Sequence, residues 1–217
     1  MRIAVVVIAG LFAVGCGGGP VSPRSQTVRV AAAADLKFAF DELSAAFRKE
    51  HPQFKVEVVY GSSGNFFAQL SEGAPFDLFL SANMDYPKKL VEQGRGVPGS
   101  VFVYAVGHLV VWVPKASPLD LEKLGIRATA EPAVRKLALA NPRHAPYGQA
   151  AEAALKRAGI YEQVKDRLVF GENVAQTAQM VDTGAADVGL IALSLAVAAP
   201  LRDHGRYFEV DADLYPP

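Results

Sequence analysis

One cysteine, Cys16, stands among 217 residues, so neither an intrachain disulfide nor a cysteine-based metal cluster can be built. Histidine is almost as sparse. His51, His108, His144 and His204 lie in unrelated contexts, none in the i, i+4 pair of a helical zinc site and none beside a carboxylate cluster. Surface or turn positions are expected of all four, and no metal site or cofactor is predicted. Excess charge is also missing: 22 Lys and Arg balance 22 Asp and Glu, and no stretch clusters the basic residues, which argues against a nucleic-acid partner. After residue 16 no apolar run is long enough to cross a bilayer.

The chain starts like a leader. MRIAVVVIAGLFAVGC carries one Arg, an apolar run from Ile3 to Val14, then Gly15 and Cys16, the layout of a secretory signal. It resembles a bacterial lipoprotein signal, in which the cysteine after a small residue is lipidated and becomes the mature N-terminus. Ala13 departs from that pattern, standing where such signals more often carry Leu or Val. Lipidation at Cys16 and ordinary cleavage are both open, and a buried first strand is a third reading. Residues 1–16 are thus read as a signal peptide and 17–26, GGGPVSPRSQ, as a flexible tether. The location expected is the periplasm or the outer face of the membrane.

From Thr27 onward, short runs rich in Val, Ile, Leu and Phe, such as FKVEVVY, HLVVWVPK and DVGLIAL, alternate with segments of helical spacing such as QAAEAALKRAG and VAQTAQMVDTG. Several of those helical segments stop at a glycine, the residue that takes a left-handed C-terminal position at little cost. The alternation predicts an α/β fold with mostly parallel sheets. Its length suits two lobes, 27–105 and 106–210, with HLVVWVPKASPLDLEKL as a strand long enough to leave one and enter the other.

Four joints recur in which an apolar strand runs through a turn of small or polar residues straight into a helix. They place Asp35 at one helix entry, Ser62 and Ser63 at a second, Pro146 and Tyr147 at a third, and Asn173 and Val174 at a fourth. The first N–H groups of a helix have no intrahelical partner and lie at the positive end of its dipole, so each joint is a potential anion site. Apart from Arg143 the four turns contain no Lys or Arg, which favours neutral N–H and O–H donors of the kind a small tetrahedral oxyanion takes. Simple helix capping is the ordinary use of any one of them.

Enzymatic readings are weaker. Ser63 sits on a sharp strand-to-helix turn like an esterase nucleophile, but GSSGN is not the G-x-S-x-G elbow, and a positioned base is needed as well. Asp77 and Asp85 could do acid and base work, yet strand entry and helix capping account for both.

The stretches VRVAAAADLKFAFDEL, VVYGSSGNFFAQL, GAPFDLFLSA, HLVVWVPK, NPRHAPYG, ENVAQ and GLIALS occur in the order found in periplasmic molybdate-binding proteins of ABC importers, which the chain resembles over nearly all of its length after Thr27. The resemblance implies the type II periplasmic binding protein fold: two Rossmann-like α/β lobes joined by crossover strands, with the oxyanion in the cleft between them. It implies a non-enzymatic, monomeric carrier of molybdate, and of tungstate as well, that delivers its ligand to a membrane permease. The contacts it implies fall on Asp35, Ser63, Tyr147 and Val174. Tyr147 and Val174 would act through their main-chain N–H groups, so that their side chains should tolerate change, and Ser63 through N–H and hydroxyl. A binding protein for another oxyanion, such as phosphate, is the main alternative, and a serine hydrolase a more distant one.

Three departures from the family stand out. Ala192 occupies a position where some members carry Tyr, so a phenol contact is absent. Asp35 replaces a hydroxyl residue, and a carboxylate facing a dianion repels it. It is expected to turn back and cap the N–H groups of residues 37 or 38; the alternatives are that it is protonated and donates, or that it accepts a proton from a protonated oxyanion. Finally, members usually continue past the YPP motif, so residues 211–217 read as the start of a return to lobe 1, truncated at Pro217.

Overall fold

A computed structural model describes residues 2–7 and 26–216. Cys16, the tether up to Ser25 and Pro217 lie outside the described residues.

Two five-stranded sheets organise the chain. The first is built from β1 (Arg2–Val7), β2 (Gln26–Ala33), β3 (Phe54–Gly61), β4 (Leu78–Ser81) and β5 (Phe102–Val106), in the order β3-β2-β4-β1-β5. Helices α1 (Lys37–Glu50), α2 (Ser63–Ser71) and α3 (Asp85–Glu92) connect its strands. Strand β2 runs parallel to β3 and β4, while β1 is antiparallel to β4 and β5. Arg2–Val7 thus forms a strand inside the segment read as a signal; Ile3 and Val5–Val7 suit extended backbone as well as they suit a leader.

The second sheet holds β6 (Leu109–Pro114), β7 (Leu137–Ala140), β8 (Leu168–Gly171), β9 (Val188–Ala192) and β10 (Gly205–Glu209), in the order β10-β6-β9-β7-β8. Its helices are α4 (Leu121–Leu124), α5 (Pro146–Arg157), α6 (Tyr161–Val164), α7 (Val174–Asp182), α8 (Leu193–Ala196) and α9 (Ala199–Arg202). Strand β7 is parallel to β8 and β9, and β6 is antiparallel to β9 and β10. Helices α5 and α7 end at Gly159 and Gly184, whose φ values of 72° and 75° belong to the left-handed region.

The HLVVWVPK strand does not bridge the lobes as expected. Among the described residues β6 pairs only within the second sheet, because Leu109–Val113 is buried there on both faces. The chain changes lobe at Gly107 and His108, between β5 and β6. Beyond β10, residues 211–216 lie against the second lobe: the Tyr215 hydroxyl accepts the Leu109 N–H at 3.2 Å, and Arg157 donates to the Asp213 carbonyl at 2.8 Å.

Candidate anion site between the lobes

Each predicted site residue is delivered by a strand that stops at the same edge of its sheet and a helix that starts there. Strand β2 ends in a 3-10 turn, Ala34–Leu36, before α1; β3 runs into α2; β7 into α5; β8 into α7. The four joints, two from each lobe, converge, and Asp35, Ser63, Tyr147 and Val174 line one small cavity together with Ser62 and Ala82. Its free volume is about 10 Å³. Among the described residues, no Lys or Arg lines it.

The donors can be followed helix by helix. At α7 the Asn173 side chain caps the second and third positions, accepting from Ala175 and Gln176 N–H at 3.1 and 3.0 Å, and leaves the first, Val174, uncapped. At α5 no side chain caps the entry, Pro146 has no N–H to satisfy, and Tyr147 follows it. At α2 the cap position is Ser62 rather than Ser63, and neither hydroxyl caps the helix. Ser63, fully buried, accepts the Ala82 N–H at 2.9 Å, so its own hydroxyl proton is available to the cavity.

Two expectations about side chains are overturned. The Tyr147 and Val174 side chains, expected to tolerate change, are 3 % and 4 % exposed and packed into a continuous apolar core, where truncation costs stability. Asp35 does not cap α1. The 3-10 turn that carries it places Leu36 at the cap position with no side-chain bond to the helix, and both carboxyl oxygens are buried without a hydrogen-bond partner. Burial pushes the Asp35 carboxyl up to about 7, offset only in part by its own N–H and the nearby Tyr147 hydroxyl, neither of which reaches hydrogen-bonding geometry. Burial, and then the Asp35 charge, push the Tyr147 and Tyr104 phenols upward, so both are neutral throughout the physiological range.

Sequence reading missed the contacts that hold the lobes together. Ser62 Oγ and His144 Nδ1 are hydrogen-bonded at 2.9 Å, Gly64 N–H donates to the His144 carbonyl at 2.8 Å, and Asn65 donates to Glu172 at 2.9 Å. His144 Nε2 lies 3.6 Å from Glu172, closing a clasp across the mouth of the cleft. His144 does sit in a turn, as expected, but its side chain is largely buried, 18 % exposed, and engaged on both ring nitrogens. Deeper in, Ser194 donates to the Asp35 carbonyl at 2.7 Å, tying the end of β9 to the end of β2 beside Ala192. Asn65 and His144 stand inside the GSSGN and NPRHAPYG motifs, the one signal that could have marked them. Ser63 has no histidine at hand; the histidine belongs to Ser62.

The profile of the bacterial extracellular solute-binding protein family matches residues 28–217. Over 216 residues, 100% of this chain and 81% of the relative, the sequence is 36% identical to the molybdate-binding protein ModA of Azotobacter vinelandii. It is 38% identical to the ModA of Rhodobacter capsulatus over 190 residues, 88% of this chain and 72% of that relative. The solved periplasmic molybdate-binding protein of Azotobacter vinelandii superposes with a TM-score of 0.80 at 33% identity, covering 88% of this chain and 81% of that one.

Proposed function

Since this chain belongs to the bacterial extracellular solute-binding protein family, we propose that it captures molybdate between its lobes and delivers it to the permease of an ABC importer. The observation that carries the reading is the meeting of four helix-entry joints, two per lobe, in a cavity lined by no Lys or Arg among the described residues. A tetrahedral dianion needs many neutral donors from several directions, and separate helix N-termini supply them. The ModA relatives support molybdate as the ion. Asp35, Ser63, Tyr147 and Val174 are its contacts: Ser63 through hydroxyl and N–H, Tyr147 and Val174 through N–H. Tungstate, nearly the same in size and charge, binds alongside molybdate. Sulfate is smaller, and donors set for the larger ion stand too far from it. The protein works as a monomer outside the cytoplasm, after processing at or near Cys16.

The Ser62–His144–Glu172 relay is the one observation that favours a hydrolase. Because its members come from opposite lobes, we read it as a clasp that holds the lobes closed.

Isothermal titration of the purified chain with molybdate, tungstate, sulfate and phosphate tests this reading. Tight one-to-one binding of the first two, with silence from the others, is expected. A response to phosphate without one to molybdate would replace molybdate with the alternative ligand.

A further inference from the structure

Asp35 is the one acidic side chain lining the cavity, and its surroundings are neutral. It is 2 % exposed, and among the described residues neither oxygen has a hydrogen-bond partner. The titratable groups facing it are phenols, Tyr147 from α5 and Tyr104 from β5. From α8, Ser194 engages only its main-chain carbonyl. At the entry of α7, the Asn173 side chain is used within its own helix, and the preceding Glu172 is held by Asn65 and His144. On the next turn of its own segment, Lys37 lies 3.8 Å from Asp41 and over the Tyr60 ring, so among the described residues no cation pairs with Asp35. An ionised carboxylate in this place would face both an apolar wall and a bound dianion, with nothing to offset either.

Building on the oxyanion reading above, we propose that Asp35 meets the ligand as a neutral carboxylic acid and donates its proton in a hydrogen bond to an anion oxygen, so that capture is coupled to proton uptake and weakens as pH rises. The proton comes from solvent, through the protonated fraction of the free protein, and stays on Asp35 in the complex. A carboxylic acid thereby does the work of a hydroxyl donor, with the added property that it can be switched off. Burial, which holds the carboxyl near 7, sets the pH at which the switch operates.

Molybdate titrations of the full chain from pH 6 to 9 test this, together with Asp35→Asn and Asp35→Ser, each checked for folding by circular dichroism. Affinity of the unsubstituted protein is expected to fall about tenfold per pH unit above about 7. At pH 8, calorimetry in two buffers of different ionisation enthalpy should report about one proton taken up per molybdate bound. Asp35→Asn should flatten the pH profile and abolish the proton uptake, and Asp35→Ser should bind more tightly than the parent above pH 8. A carbon NMR titration of the ligand-free chain supplies a readout that needs no ligand: one carboxyl, absent in Asp35→Asn, titrating near 7. Molybdate binding without proton uptake, or an Asp35 carboxyl that titrates below about 5, overturns the proposal. A folded chain that ignores molybdate at every pH overturns the ligand assignment, and proton-coupled capture with it, even where the carboxyl titrates near 7.

Discussion

The two lobes present the same device to the cleft but back it differently. In each, an aspartate just ahead of a parallel strand ties that strand to its neighbour: Asp77 accepts the Arg29 N–H at 2.7 Å, and Asp187 accepts those of Arg135 and Lys136, both at 2.8 Å. In each, two strands end in turns that open helices at the site. Behind the second lobe's turns lies one continuous core, with Trp112, Leu139, Leu155, Leu190 and Ile191 fully buried. Among the described residues, the first lobe divides its buried apolar side chains into two clusters on opposite faces of the sheet, one around Phe66, Phe79 and Leu90, the other around Val30, Ala32 and Leu80. Leu43 and Phe47 of α1 are 61 % and 39 % exposed beside a shallow apolar hollow. Anion-binding geometry is therefore a local property of strand ends and helix starts, whereas stability depends on the layer behind them.

The largest test of that contrast is a matched pair of truncations. Leu139→Ala in the second lobe should cost about 2–5 kcal/mol, and Leu43→Ala in the first less than about 0.5 kcal/mol, both read by denaturant unfolding. Equal costs would erase the distinction.

Asp35→Asn should come next, and its effect depends on pH. The folded carboxyl keeps its proton up to about 7, while the unfolded one releases it near 3.8. Between those values the folded state binds more protons, so Asp35 lowers stability progressively as pH rises, and the loss is complete above about 7. The ligand-free variant should accordingly be more stable than the parent at pH 8, by up to a few kcal/mol, with the advantage vanishing by pH 4. A thermal-melt series across that range checks the sign.

Smaller effects should follow where the lobes touch. A Cβ on Gly64 would lie 2.5 Å from the His144 carbonyl oxygen, so Gly64→Ala should weaken ligand affinity by about tenfold, roughly 1.4 kcal/mol, with little change in unfolding of the free protein. Glu172→Gln, which retains an acceptor for Asn65 but removes the charge facing His144, should raise the ligand off-rate only a few-fold in stopped-flow measurements.

Much of this was legible in the chain. Alternating β-branched runs and helical periods define the α/β fold because each reports directly on its own element, and the four joints were visible because a helix start is written in adjacent residues. What could not be read was direction. Whether Tyr147 and Val174 turn their side chains out or in depends on the sheet behind α5 and α7, which the local sequence does not describe. Asp35 looked like a cap because Asp commonly is one; a single 3-10 turn between β2 and α1 was enough to point it elsewhere. The pairing of His144 with Ser62 spans 82 residues and joins two lobes, beyond the reach of any local pattern.

The clasp at the cleft mouth separates two quantities that binding proteins are usually asked to trade. Its bonds run from Ser62, Gly64 and Asn65 in one lobe to His144 and Glu172 in the other. Asn65, His144 and Glu172 lie outside the cavity lining, so substitutions there are expected to change residence time more than selectivity. Residence time can thus be retuned at the rim without rewriting selectivity, giving a fast-releasing carrier or a slow oxyanion scavenger from the same interior.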